Sequence, residues 1–102
     1  MTERIEGDYT VTEDQDSYGT ITGNVTVKSG ARFISYGLVN GNVTVESGAD
    51  FLLCGLVGGD IVGQGHTEVA GLVKGAVTTP QALIRKNAIV GRTRYTEDTV
   101  IN

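Results

Sequence analysis

Short β-branched segments in which apolar and polar positions alternate recur along the chain, Val25-Thr26-Val27 and Val43-Thr44-Val45 among them. A period of two marks a strand with one buried face. Glycine and Gly-Asn pairs every few residues leave no stretch long enough for a helix. The segments belong to a longer repeat. GTITGNVTVKSGARFISY from Gly19 and GLVNGNVTVESGADFLLC from Gly37 align without gaps, which sets a period of about 18 residues, within the range of solenoid repeats. From Gly55 follows a shorter turn, GLVGGDIVGQGHTEVA, which reads as losing one residue in each half. From Gly71 comes a longer one, GLVKGAVTTPQALIRKNAIV, of about 20 residues. Upstream, Gly7 to Thr12 matches Gly41 to Glu46, which adds a degraded first turn.

A turn with three short strands cannot close a core by itself, but stacked turns pair each strand with its equivalents above and below at about 4.8 Å. The pattern therefore predicts an all-β, single-stranded β-solenoid of about five turns, roughly triangular in section and about 25 Å long at that spacing. Its ladders follow from the alignment. Ile21-Val39-Val57-Val73, Val25-Val43-Ile61-Val77, Val27-Val45, Ala31-Ala49 and Phe33-Phe51 should line the interior. Asn24-Asn42-Asp60 and Ser29-Ser47 should form polar ladders at corners. Gly23, Gly41, Gly59 and Gly75, with Gly30 and Gly48, suit corners that need positive φ or close backbone approach.

A second set of rows, Ile34-Leu52, Tyr36-Cys54-Ala70 and Leu38-Leu56-Leu72, admits two readings. With Phe33 and Phe51 inward, strict alternation sends Ile34 and Leu52 outward and lays an apolar stripe along one edge, the kind of surface that marks an interface. If Gly37 and Gly55 reset the alternation, these residues are core.

Composition narrows the class. The 102 residues suffice for one domain, and 15 Gly, two Phe and no Trp suit a narrow, regularly stacked interior. One cysteine, Cys54, forms no intramolecular disulfide, and the N-terminal residues lack a basic-then-apolar leader pattern. With no long apolar run, a cytoplasmic protein without a membrane span is expected. The net charge of −4 disfavours nucleic acid as a partner. Its distribution is polar: residues 1–18 hold six acids against Arg4, whereas residues 74–95 hold Lys74, Arg85, Lys86, Arg92 and Arg94 and no acid. Three segments are expected, namely an acidic 1–18 with the degraded turn or cap, a β-helix core over 19–91 and a polar tail over 92–102.

Candidate chemistry is sparse. His66 is the sole histidine, so triads and His-rich metal sites have at most one base or ligand, and an exposed corner is its expected place. Cys54 has no neighbouring base to lower its pKa and reads as a packing residue. Asp14-Gln15-Asp16 lacks the bidentate Glu of a calcium loop, with Val25 at that position. Gly58 to Gly65 lacks the Lys-Ser/Thr and helix of a phosphate loop. Asn24 and Asn42 stand in Asn-x-Thr sequons but are ladder positions. In left-handed β-helix acyltransferases an aliphatic residue recurs every six positions; here glycine falls at every third such place. No enzyme, cofactor or metal is expected.

The run Gly19 to Gly91, with G-x-V-x-G-N-V-T-V-x-S-G-A repeated, resembles the bactofilins, the polymer-forming cytoskeletal proteins of bacteria. The resemblance implies a right-handed β-helix that assembles into nonpolar filaments without nucleotide. Similar Gly/Val/Thr repeats occur in autotransporter stalks. Two functions are expected from these readings. The first is a structural, self-assembling protein, a dimer or head-to-tail oligomer joined end to end by apolar stacking that the oppositely charged ends only steer, with Ile34, Leu38, Leu52, Leu56 and Leu72 carrying self-contact. The second is a small acidic module, such as an immunity protein or antitoxin, that meets a basic protein through Glu46, Asp50, Asp60 and Glu68, with Asp14 and Asp16 near one end. Charged end segments suit solvated caps, which favour a monomer or side-by-side dimer over a filament.

Overall fold

A computed structural model describes residues 4–101; residues 1–3, including Glu3, and 102 of the expected end segments lie outside it. The chain winds as expected, with strands and turns and no helix among the described residues. The first turn holds β1 (Arg4–Ile5), β2 (Tyr9–Val11) and β3 (Gln15–Ser17). The second holds β4 (Thr20–Ile21), β5 (Val25–Val27) and β6 (Arg32–Ser35), and the third β7 (Leu38–Val39), β8 (Val43–Val45) and β9 (Asp50–Leu53). The fourth holds β10 (Leu56–Val57), β11 (Ile61–Gly63) and β12 (His66–Val69). The fifth holds β13 (Leu72–Val73), a single bridge at Val77 and β14 (Ala82–Ile84). β15 (Ile89–Val90), β16 (Thr93–Arg94) and β17 (Thr99–Ile101) complete the chain.

Stacking creates three sheets, one per side of the section. The first runs β1-β4-β7-β10-β13-β15-β16, the second β2-β5-β8-β11 and the third β3-β6-β9-β12-β14-β17. All pairings are parallel except the last in two sheets, where β16 runs antiparallel to β15 and β17 to β14. The five turns and returning strands occupy 33 × 24 × 17 Å.

The predicted interior ladders are observed. Ile21, Val39, Val57 and Val73 stand in register, as do Val25, Val43 and Ile61 with Val77 bridged to it, and all are buried. Phe33 and Phe51 stack inside with ring centroids 5.8 Å apart. The Asn24-Asn42-Asp60 ladder is longer than predicted. Asp8, Asn24, Asn42 and Asp60 each use Oδ1 to accept a backbone N–H of the following turn, from Asn24, Asn42, Asp60 and Ala76 at 2.8–2.9 Å. Each rung thus supplies its neighbour with an acceptor at the corner, beside the backbone bonds of Gly23, Gly41, Gly59 and Gly75 to the turn below.

The corner glycines divide by mechanism. Gly30 and Gly48 adopt φ of +86° and +85°, where a side chain is strained, whereas a Cβ on Gly41 would strike Gly23 and Asn24 of the turn below.

Turn lengths depart from the sequence reading in two places. Successive register partners in the first sheet are Arg4, Thr20, Leu38, Leu56, Leu72 and Ile89. The steps from Thr20 to Leu38 and from Leu38 to Leu56 are equal and match the clean repeat. Against them, the steps from Arg4 to Thr20 and from Leu56 to Leu72 are two residues shorter, and that from Leu72 to Ile89 is one residue shorter. The last full turn is therefore shorter than the clean repeat, where the sequence suggests a longer one. Nor does the short fourth turn lose one residue per half. Leu56 and Ile61 keep the spacing of Leu38 and Val43, and both residues are lost between β11 and β12, where Gly63 takes φ +113° and a Cβ on Gly65 would strike Val45.

The end segments are built rather than loose. Residues 4–17 make a full first turn, and Tyr9 Oη donates to Gln15 Oε1 at 2.7 Å across its part-buried inner side. At the other end the expected polar tail folds back as β16 and β17, with Tyr95 and Ile101 packed against the core. Asp98 holds this return in place, accepting the Lys86 N–H at 2.7 Å and pairing with Arg85 at 3.4 Å.

Candidate functional site

The two readings of the second set of rows are decided by the corner where the third sheet passes into the first. Along 31–39, Ala31, Phe33, Ser35 and Val39 are buried, while Arg32, Ile34, Tyr36 and Leu38 are exposed or half-buried. The same holds one turn on, with Ala49, Phe51, Leu53 and Val57 inside and Asp50, Leu52, Cys54 and Leu56 outside. Alternation therefore passes through Gly37 and Gly55 without a reset. Each glycine occupies a position too close to the chain for a side chain: a Cβ on Gly37 would run into the Gly19 carbonyl, and one on Gly55 into that of Gly37.

The consequence is an apolar outer surface wrapped around one corner. On the third sheet Ile34 pairs with Leu52. On the first sheet Leu38, Leu56, Leu72 and Ile89 stand in one row. Between them the corner column runs Tyr18, Tyr36, Cys54, Ala70. Tyr18 and Tyr36 are 54% and 44% exposed, and their rings stack 4.7 Å apart and 4° from parallel. Two tyrosines outside, stacked over each other rather than buried, present a broad flat face with hydroxyls at its rim. The leucine and isoleucine rows are half-buried. Sequence reasoning placed Ile34, Leu38, Leu52, Leu56 and Leu72 as candidates but missed Tyr18 and Ile89. The alignment of Tyr18 with Tyr36, one repeat apart, could have found the first.

Cys54 corrects an expectation, since it lies exposed in this column and is not a packing residue. Partial loss of water, and then the charge of Glu68, push its thiol above the ordinary 9.0. It is thus less ionised at neutral pH than a free cysteine, the reverse of an activated nucleophile. Partial loss of water, followed by Tyr18, Cys54 and Asp16, likewise raises the Tyr36 hydroxyl above 10.0.

The candidate acids are scattered around the section and mostly engaged. Glu46 sits beyond the second sheet, accepting from Lys28 Nζ and the Ser29 N–H, both at 3.2 Å, and these bonds, the backbone one foremost, hold its carboxyl below the ordinary 4.5. Asp60 belongs to the corner ladder on the far side. Glu68 pairs with Arg85 at 3.1 Å, and Asp14 accepts the Arg32 N–H at 3.0 Å. Asp16 and Asp50 are exposed on the outer face of the third sheet, in register with Ile34 and Arg32 respectively.

The same face bears a shallow cavity of about 230 Å³ lined by Arg32, Asp50, Phe51, Leu52, His66 and Glu68. His66 is exposed there at the start of β12, beside Asp50, rather than at a bare corner. The lining brings together an imidazole, two carboxylates and a guanidinium but no hydroxyl or thiol for an imidazole to activate. No group of three His, Cys, Asp or Glu side chains among the described residues could hold a metal. No helix among the described residues is long and apolar enough to cross a membrane. No family model, curated protein or solved structure matches the chain.

Proposed function

We propose that this chain is a non-catalytic structural β-solenoid, bactofilin-like in its repeat though not in forming filaments, that associates with copies of itself through the apolar corner. The observation that carries the reading is the unbroken alternation through Gly37 and Gly55, which turns Ile34, Leu52, Leu38, Leu56 and Leu72 outward beside the stacked Tyr18 and Tyr36. A contiguous apolar surface of this kind on a small body is removed from water by association.

The assembly is lateral. At the last turn β16 and β17 run antiparallel to β15 and β14, so a second copy stacked there would not continue the parallel order of the first and third sheets. The alternative reading, an acidic module for a basic protein, has less support: of its candidate acids Glu46, Asp60 and Glu68 already serve neighbouring turns, which leaves Asp50 with Asp16.

Electron microscopy with light scattering of the purified protein, over a range of salt concentrations, tests the reading. Small particles of a fixed number of copies that persist in high salt are expected. Monomers alone at high protein concentration would contradict self-association, and long filaments would contradict the lateral form.

A further inference from the structure

The corner column is graded in size and charge. From the first turn to the fifth it runs Tyr18, Tyr36, Cys54, Ala70 and Arg85, as successive sheet bonds place these residues one above another: the N–H groups of Tyr36, Cys54, Ala70 and Arg85 bond to Ser17, Ser35, Leu53 and Val69 of the turn below. Large side chains stand at one end, the smallest near the other, and Cys54 on the middle turn between them. The charge gradient runs the same way. Glu6, Asp8, Glu13, Asp14 and Asp16 against Arg4 lie on the first turn at the tyrosine end, and Arg85, Lys86, Arg92 and Arg94 against Glu97 and Asp98 lie at the other.

Resting on the self-association just proposed, we infer that two copies pack corner to corner in opposite directions, about a twofold axis at the third turn that sets Cys54 against Cys54 of the second copy. Two arrangements of identical corners are possible. If the copies run the same way, Tyr36 meets Tyr36 and Ala70 meets Ala70. The tyrosines then hold the rods apart and leave a gap over the alanines, where contacts are forfeited. Like charges also face like at both ends. If the copies run oppositely, Tyr36 lies one turn before the axis and Ala70 one turn after it. Each tyrosine then fills the space over an alanine, twice by symmetry, as an isologous interface requires. Large then meets small on the second and fourth turns, and only the two ends, where Tyr18 meets Arg85, pair large side chains with each other.

The ends agree. Tyr18 falls opposite Arg85 of the second copy, whose guanidinium, already fixed by Glu68 and Asp98, offers its face to the exposed tyrosine ring. Asp16, exposed on the same turn as Tyr18, then faces the basic end. These exposed charges are screened over roughly 8 Å at physiological salt, so they set direction while the apolar rows set affinity.

Cross-linking with a short bis-maleimide, alongside sedimentation to establish mass, tests the direction. Wild-type protein should cross-link through Cys54. In a Cys54→Ser background, Tyr36→Cys and Ala70→Cys alone should each give little dimer, and an equal mixture of the two should give several-fold more. Both positions are exposed, so the variants fold, which circular dichroism verifies. If each variant cross-links with itself as well as the mixture does, the copies run the same way; association stands and the inferred direction falls. A sedimenting dimer with no cross-link in any combination would remove the corner from the interface. Monomer at every concentration would overturn the self-association reading itself.

Discussion

Thr67 occupies the inward position that Phe33 and Phe51 hold in the two preceding turns, is fully buried, and carries a hydroxyl with no hydrogen-bond partner. An unpaired buried hydroxyl costs about 1–3 kcal/mol, and a methyl of the same shape removes that cost. Thr67→Val should therefore raise the thermal midpoint, by roughly 4–8 °C for each kcal/mol recovered in a domain of this size. Thermal denaturation followed by circular dichroism measures it, and a fall would mean the hydroxyl is bonded. Glu46 supplies a pH dependence of definite sign. Its pKa is lowered in the folded chain by the Ser29 N–H and by Lys28, so its contribution is present above the ordinary value of 4.5 and is lost as pH falls through and below it. Exposure keeps the effect small. Glu46→Gln should lower the neutral plateau of a stability-against-pH curve slightly, leave the acid end almost unchanged and so flatten the acid limb; a neutral plateau that does not move would show that the carboxylate charge contributes nothing.

At the scale of elements, the corner ladder from Asp8 to Asp60 stitches turns together where the strands break. Asn42→Ala would leave the Asp60 N–H without its side-chain acceptor and remove the spacer that Gly59 packs against, at a cost of about 1–2 kcal/mol. Urea unfolding would register that as a lower midpoint with unchanged slope, and an unmoved midpoint would mean that water replaces the asparagine. This ladder was legible because Asn24, Asn42 and Asp60 recur at the spacing of the clean repeat. The interior valine and phenylalanine rows were legible for the same reason. Two features were not. Gly37 and Gly55 have no side chain to reveal which way the position points, so the alternation could be followed up to them but not through them; the buried Ser35 and Val39, and Leu53 and Val57, on either side show that it continues, and the closeness of the turn below shows why glycine stands there. The return of β16 and β17 was hidden in a polar composition that suits a tail equally well. What makes it structure is pairing with β15 and β14 and the grip of Asp98 on Arg85 and Lys86, contacts between residues that no local pattern links.

For the whole molecule, the solenoid joins two kinds of surface. Its inside is used up by stacking, and at the last turn two of its three sheets end in strands that reverse direction, so the outside of the prism is the broad surface left for other molecules. Of the outward rows, the threonines of the second sheet are polar, with Thr10, Thr26 and Thr44 in register. The corner between the third and first sheets carries the stacked tyrosines and the half-buried leucines. Leu56 and Val57 are adjacent in sequence and differ chiefly in the side they face, the first outward in that corner and the second fully buried. A carboxylate at Val57 would sit unpaired in the core and unfold the chain, whereas one at Leu56 would be solvated in the free molecule and desolvated only on association. The decisive measurement is sedimentation velocity of Leu56→Asp against wild type at matched concentration, with far-ultraviolet circular dichroism on the same samples. The corner account predicts an intact β spectrum and a fall to monomer mass for Leu56→Asp; an unfolded variant would make Leu56 core, and a folded variant that keeps the wild-type oligomer mass would place the contact elsewhere.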